Sequence, residues 1–182
     1  MSPYQFWLVR SIESADSVRH FMEMTWTWPL VESAHFMGLT LLFGSIAAWD
    51  LRLLGVARGV PIAEFHRLIP FAVIGFIINV TSGIGFLMAA PDQYIYNPAF
   101  HLKMTLVALA GVNVLVFYLT IFRRVRSLSP TAPSPFQARM SGAVSLLCWM
   151  GVIVCGRMIT FYRPFPCDRG EVMGFLADCI MR

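Results

Sequence analysis

Charge is what this sequence has least of. Only 13% of its 182 residues are charged, against 57% apolar, and the mean hydropathy is +0.66. That balance argues against a water-soluble domain. Lysine is almost missing: Lys103 is the single one among 14 basic residues. The arginines cluster near the ends of apolar runs instead of forming a basic face. The net charge of +4 is therefore no nucleic-acid footprint, and no nucleic-acid partner is expected. Cys-x-x-Cys and Cys-x-x-Cys-His are absent, which excludes zinc ribbons and covalently held c-type haem. There are eleven methionines, yet no Met-x-x-Met spacing of the kind that suits copper(I). P-loop, kinase and hydrolase motifs are missing too, so an enzyme working alone is not expected. Residues 1 to 27 lack a basic start, apolar core and small-residue cleavage site, so the first span is expected to act as its own insertion signal.

What is present is four long apolar runs, at about 29–51, 68–89, 100–122 and 142–162. A bilayer takes about 20 residues to cross, and each run reaches that length. The expected fold class is all-α: a polytopic membrane protein with a four-transmembrane-helix bundle over 28–163. An amphipathic interfacial helix is expected within 1–27, because Phe6, Trp7, Val9, Ile12, Val18 and Phe21 alternate there with Arg10, Glu13, Asp16 and Arg19. Residues 164–182 form a polar tail. Ser-Pro-Thr-Ala-Pro-Ser-Pro before the last span reads as an extended linker. Arg52, Arg58, Arg67, Arg123, Arg124, Arg126 and Arg139 all fall in the 1–2 and 3–4 connections. The positive-inside rule then places both termini outside the cytoplasm, in the periplasm of a bacterial inner membrane. In that compartment Cys167 and Cys179 could form a disulfide. Cys148 and Cys155 are expected to be buried packing residues. Glycines such as Gly38, Gly75 and Gly151 should let helices approach, since lipid supplies no hydrophobic drive for them to associate. Asn79 and Asn113 are expected to hydrogen-bond across helices, to each other, to Thr81 or Ser82, or to a backbone carbonyl.

The chemistry gathers near one membrane face. Glu32 and His35 lie one turn apart in the first span, roughly 6 and 10 Å below Trp28 at 1.5 Å per residue. His101 and Lys103 start the third span from the same side, and Arg157 sits near the outer end of the fourth. An ionisable residue inside a span marks a functional site by default. His66 lies at the opposite end and cannot join this layer. His35 and His101 could be axial ligands of a haem iron in a four-helix bundle. Gly38 would let the macrocycle approach, Arg157 and Lys103 would neutralise its propionates, and Glu32 would accept from a ligand ring nitrogen. The competing reading is structural: Glu32 and Arg157 form a buried ion pair locking the first span to the fourth, with His35 bonded within it. A third reading is a metal, quinone or proton role, with Asn79 and Asn113 continuing the path inward.

Glu32-Ser33-Ala34-His35, Asp50-Leu51-Arg52-Leu53-Leu54-Gly55, Asn97-Pro98-Ala99-Phe100 with Lys103, and Gly156-Arg157 together resemble an uncharacterised bacterial family of four-span membrane proteins. The resemblance covers about residues 28 to 163. That family is in turn distantly similar to four-helix b-type cytochromes and to the copper-resistance D-like membrane domain, an analogy of fold. It implies haem b, and importance for Glu32, His35, Asp50, Arg52, Lys103 and Arg157. It does not extend to His101. Relatives carry a histidine near the end of the third span, where this chain has Tyr118. A set of His35 with Met104 or Met158, or no haem at all, therefore stays open. The leading expectation is a haem b-binding electron-transfer protein or membrane subunit. The alternative is a non-catalytic accessory subunit. Expected partners are the lipid bilayer and other membrane subunits, or further copies of the chain.

Overall fold

The computed structural model describes residues 12, 16–57, 59–128, 132–162, 165–166 and 179–180. The described chain is helical: α1 (Asp16–Glu23), α2 (Thr27–Leu54), α3 (Ile62–His66), α4 (Ile69–Ala89), α5 (Pro91–Ile95), α6 (Pro98–Val116), a π turn (Phe117–Ile121), α7 (Phe122–Arg126) and α8 (Phe136–Phe161). Phe165–Pro166 pairs in parallel with Cys179–Ile180. Four helical stretches are long and apolar enough to cross a membrane: Thr27–Leu54, Glu64–Ala89, Pro98–Arg126 and Phe136–Phe161. Cys167, and with it the expected bridge to Cys179, and most of the amphipathic stretch 4–23 lie outside the described residues.

Helix ends follow backbone chemistry more closely than hydropathy. α2 continues to Leu54, where Gly55 adopts φ 102°. Its N–H and that of Val56 reach back to the carbonyls of Arg52 (3.1 Å) and Leu51 (2.9 Å), a glycine-terminated helix end. α8 begins at Phe136, directly after Pro135, six residues ahead of the apolar run at Gly142. The apolar run marks hydrocarbon depth, whereas a helix starts wherever the proline permits.

The spans lie in a row. α4 packs on α2, α2 on α8, and α8 on α6, while α4 and α6 share no comparable interface. Close backbone approach makes the first of these contacts. A Cβ on Gly75 would lie 2.6 Å from both the Gly38 carbonyl oxygen and the Leu42 nitrogen, and one on Gly38 would lie 2.7 Å from the Ile78 side chain. α1 rides on the same helix, with Met22 buried against Gly85. A central cluster of Leu42, Ala72, Ala110, Cys148, Trp149 and Val152 joins all four spans. A second cluster around Trp49, Leu53, Ile62, Phe117, Val125 and Ala138 fills the arginine-rich end.

Polar side chains complete the joints. Asn113 donates from Nδ2 to the Ser141 carbonyl (3.1 Å) and accepts from Ser141 Oγ (3.1 Å), which ties α6 to α8. Asn79 bonds instead within its own helix, to the Gly75 carbonyl at 2.9 Å, because Gly38 of α2 leaves no room for a partner beyond it. Buried Asp50 bonds the Ser145 side chain across to α8. Arg52, 1% exposed, donates from Nε to the Val60 carbonyl (2.9 Å), and so pins the loop after α2 to the end of its helix. Asn97 is wholly buried and does two jobs. Its Oδ1 caps α6 by accepting from the Ala99 N–H (3.0 Å). Its Nδ2 donates to the carbonyls of Tyr162 (2.7 Å) and Ile159 (3.3 Å) at the end of α8, where the last carbonyls have no intrahelical donor.

Candidate functional site

The shared layer near the Trp28 end is built by the α2–α4 crossing. His35 faces Ser82, Gly38 faces Asn79 and Leu42 faces Gly75, three pairs that step along antiparallel helices about one turn at a time. The close glycine approach thus sets the histidine against a hydroxyl. Ser82 Oγ lies 2.6 Å from the Ile78 carbonyl, its own helix four residues back, and 2.7 Å from His35 Nδ1. A hydroxyl has one proton, and the carbonyl can only accept it. His35 therefore donates from Nδ1, which leaves Nε2 as the nitrogen with a free lone pair. The Phe86 ring stands edge-on to the imidazole, with centroids 5.6 Å apart.

Lys103, the sole lysine, enters from α6. It is close enough to act electrostatically on His35 and on the Cys155 thiol of α8, and its Nζ lies beside Gly156. Four helices therefore contribute to one polar layer: His35, Ser82, Lys103 and Cys155. Burial and a nearby ammonium both favour the neutral ring, whose Nε2 lone pair can accept a hydrogen bond or coordinate a metal.

The other expected members do not join this layer. Glu32 is exposed, and its carboxylate works on Tyr94 of α5 instead. Burial, and secondarily that charge, push the Tyr94 phenol up to about 12. His101 turns Nε2 to the Ile95 carbonyl at 2.8 Å, so that nitrogen carries the proton. Arg157 is exposed, with its guanidinium 5.0 Å over the Phe161 ring, a cation–π contact. Glu32 and Arg157 form no ion pair; those between described side chains are Arg19–Glu23 at 3.2 Å and Arg67–Glu64 at 3.1 Å. Gly38 offers no slot to a macrocycle, because Ile78 and Asn79 occupy the space beside it. Among the described residues, no three His, Cys, Asp or Glu side chains stand close enough to hold a metal ion.

Sequence reasoning missed Ser82, Cys155 and the double role of Asn97. A signal for Ser82 existed: it lies two turns along from Gly75, on the face that meets α2. None existed for Cys155, whose place depends on the α6–α8 register.

Set against known proteins, residues 25–162 match the model of a family of unknown function, a stretch that takes in all four spans and the whole layer. No curated protein and no solved structure matches the chain.

Proposed function

The chain belongs to DUF6644, a family of unknown function, and from that premise we propose that it is a non-catalytic accessory subunit of a larger complex in a bacterial inner membrane, with both termini periplasmic. The reading is carried by the way polar groups inside the spans are used. Asn113 with Ser141, Asp50 with Ser145, His35 with Ser82 and Asn97 with the end of α8 all close one helix on another. What they hold together is an open row. Its third span buries only 11% of its apolar window, against 33% for the fourth, and packs mainly on one neighbour. Polar locks replace the Glu32–Arg157 pair in this role, and a locked but open row suits a partner subunit along its free side. Solubilised from native membranes in a mild detergent, the tagged chain should carry a partner at fixed stoichiometry. Recovery as a stable lone 20.5 kDa chain would overturn the proposal.

One observation favours a second reading, haem b-linked electron transfer. The fixed tautomer of His35 leaves Nε2 suited to iron, with Ser82 orienting the ring from behind as outer partners of metal-bound histidines do. The residues fit one axial ligand better than two. His101 has its Nε2 proton on Ile95, and Met104 and Met158 are each 49% exposed on outer helix faces. A reduced-minus-oxidised spectrum of protein from haem-replete cells separates the readings. A b-type band that disappears in His35→Ala would establish haem; the accessory-subunit reading expects none.

A further inference from the structure

The opposite, arginine-rich end holds a pocket of about 170 Å³ lined by Trp49, Ile62, His66, Phe122 and Arg126. Its walls are aromatic and mutually braced. Trp49 stands edge-on to His66 (5.6 Å, 69°), His66 leans on Phe122 (5.1 Å, 34°), and the Tyr118 hydroxyl lies 3.3 Å from His66 Nε2. The π turn shapes this wall. Residues five apart on an α-helix point roughly 140° apart. The wider turn of Phe117–Ile121 brings Phe117 and Phe122 to the same side, with ring centroids 6.3 Å apart. Such π turns are often found at functional sites.

Polarity changes from floor to mouth. Trp49 and Ile62 are 6% and 8% exposed and make an apolar floor. His66 and Phe122 are half-buried, and Arg126 is exposed at the rim. No carboxylate answers Arg126 among the described residues. Of the acids at this end, Glu64 is held by Arg67 at 3.1 Å and Asp50 bonds Ser145 of α8. Arg123 and Arg124 on the same helix add to the positive field. A cavity of about 150 Å³ accommodates one benzene ring, so this pocket suits a single six-membered ring and is too small for a long alkyl chain.

We infer that the pocket binds a single-ring aromatic carboxylate, with the ring between Trp49 and Phe122 and the carboxylate on Arg126 at the mouth. The three features required are an aromatic face, a volume of one ring and an unanswered cation at the rim, and all three occur together here. The site is separate from the His35 layer and does not depend on the accessory-subunit reading.

Isothermal titration of the full chain in detergent tests it with three probes. Benzoate has both ring and charge, octanoate has the charge alone, and benzyl alcohol has the ring alone. Benzoate should bind tightest. Arg126→Gln should weaken benzoate about tenfold, in keeping with loss of a charge-assisted hydrogen bond, and leave benzyl alcohol unchanged. Phe122→Leu should narrow the gap between benzoate and octanoate. Equal binding of octanoate and benzoate would overturn the inference, as would equal binding of benzyl alcohol, or an Arg126→Gln protein that binds benzoate as before.

Discussion

Asn97→Ala is expected to destabilise the protein by about 2–4 kcal/mol. Losing the cap on α6 costs about 0.5–2 kcal/mol. The carbonyls of Ile159 and Tyr162 then lose the amide of a wholly buried residue, which costs about 1–3 kcal/mol more. Two further variants divide the loss. Asn97→Ser keeps an oxygen for the Ala99 N–H and loses the donor to α8, so it should recover part of the stability. Asn97→Asp also keeps the cap, yet it turns a carboxylate toward two carbonyl oxygens, so it should be no better than alanine. Thermal unfolding in detergent, followed by helical circular dichroism, reads all three. Equal stability of wild type and Asn97→Ala would show that the junction between the third and fourth spans lies elsewhere.

Gly75→Ala should be nearly as damaging, although it adds one methyl group. That methyl would lie 2.6 Å from two backbone atoms of α2. Neither can rotate away, so the helices must separate or shift register. Overpacking of this kind costs about 1–3 kcal/mol, and it also parts His35 from Ser82. Gly83, two turns along the same helix, provides the internal control. A Cβ there meets nothing within 4 Å, so Gly83→Ala should be neutral or gain up to about 1 kcal/mol from helix propensity. Opposite signs for one substitution at two positions of one helix would identify the crossing point. Similar effects at both would place it elsewhere.

Much of the fold was legible because a bilayer demands long apolar helices, and nothing else in this chain competes with that demand. Each of the four long helices takes in one apolar run, except that Tyr162 falls just beyond the end of α8. Where helices began was less legible: Phe136 starts α8 well before the apolar run, since proline and backbone geometry decide it. The site was legible only in part. Counting depth placed His35 and Lys103 at one level, and the structure brings them near each other. Depth says nothing of azimuth, however. Arg157 is at a suitable height and points outward to Phe161. Glu32 is at a suitable height and meets Tyr94. His101 is drawn aside by a carbonyl of α5, a short helix that the apolar pattern does not reveal. The aromatic pocket was invisible for a related reason. It needs a π turn to align Phe117 with Phe122, and hydropathy carries no trace of one.

A locked row with a free side for a partner can be probed by photo-crosslinking in native membranes. A photoreactive residue would replace Val112 of α6 or Ile77 of α4, which are 58% and 57% exposed. A protein adduct of one defined mass is expected from position 112, and mainly lipid adducts from position 77. Lipid adducts alone from position 112 would contradict it.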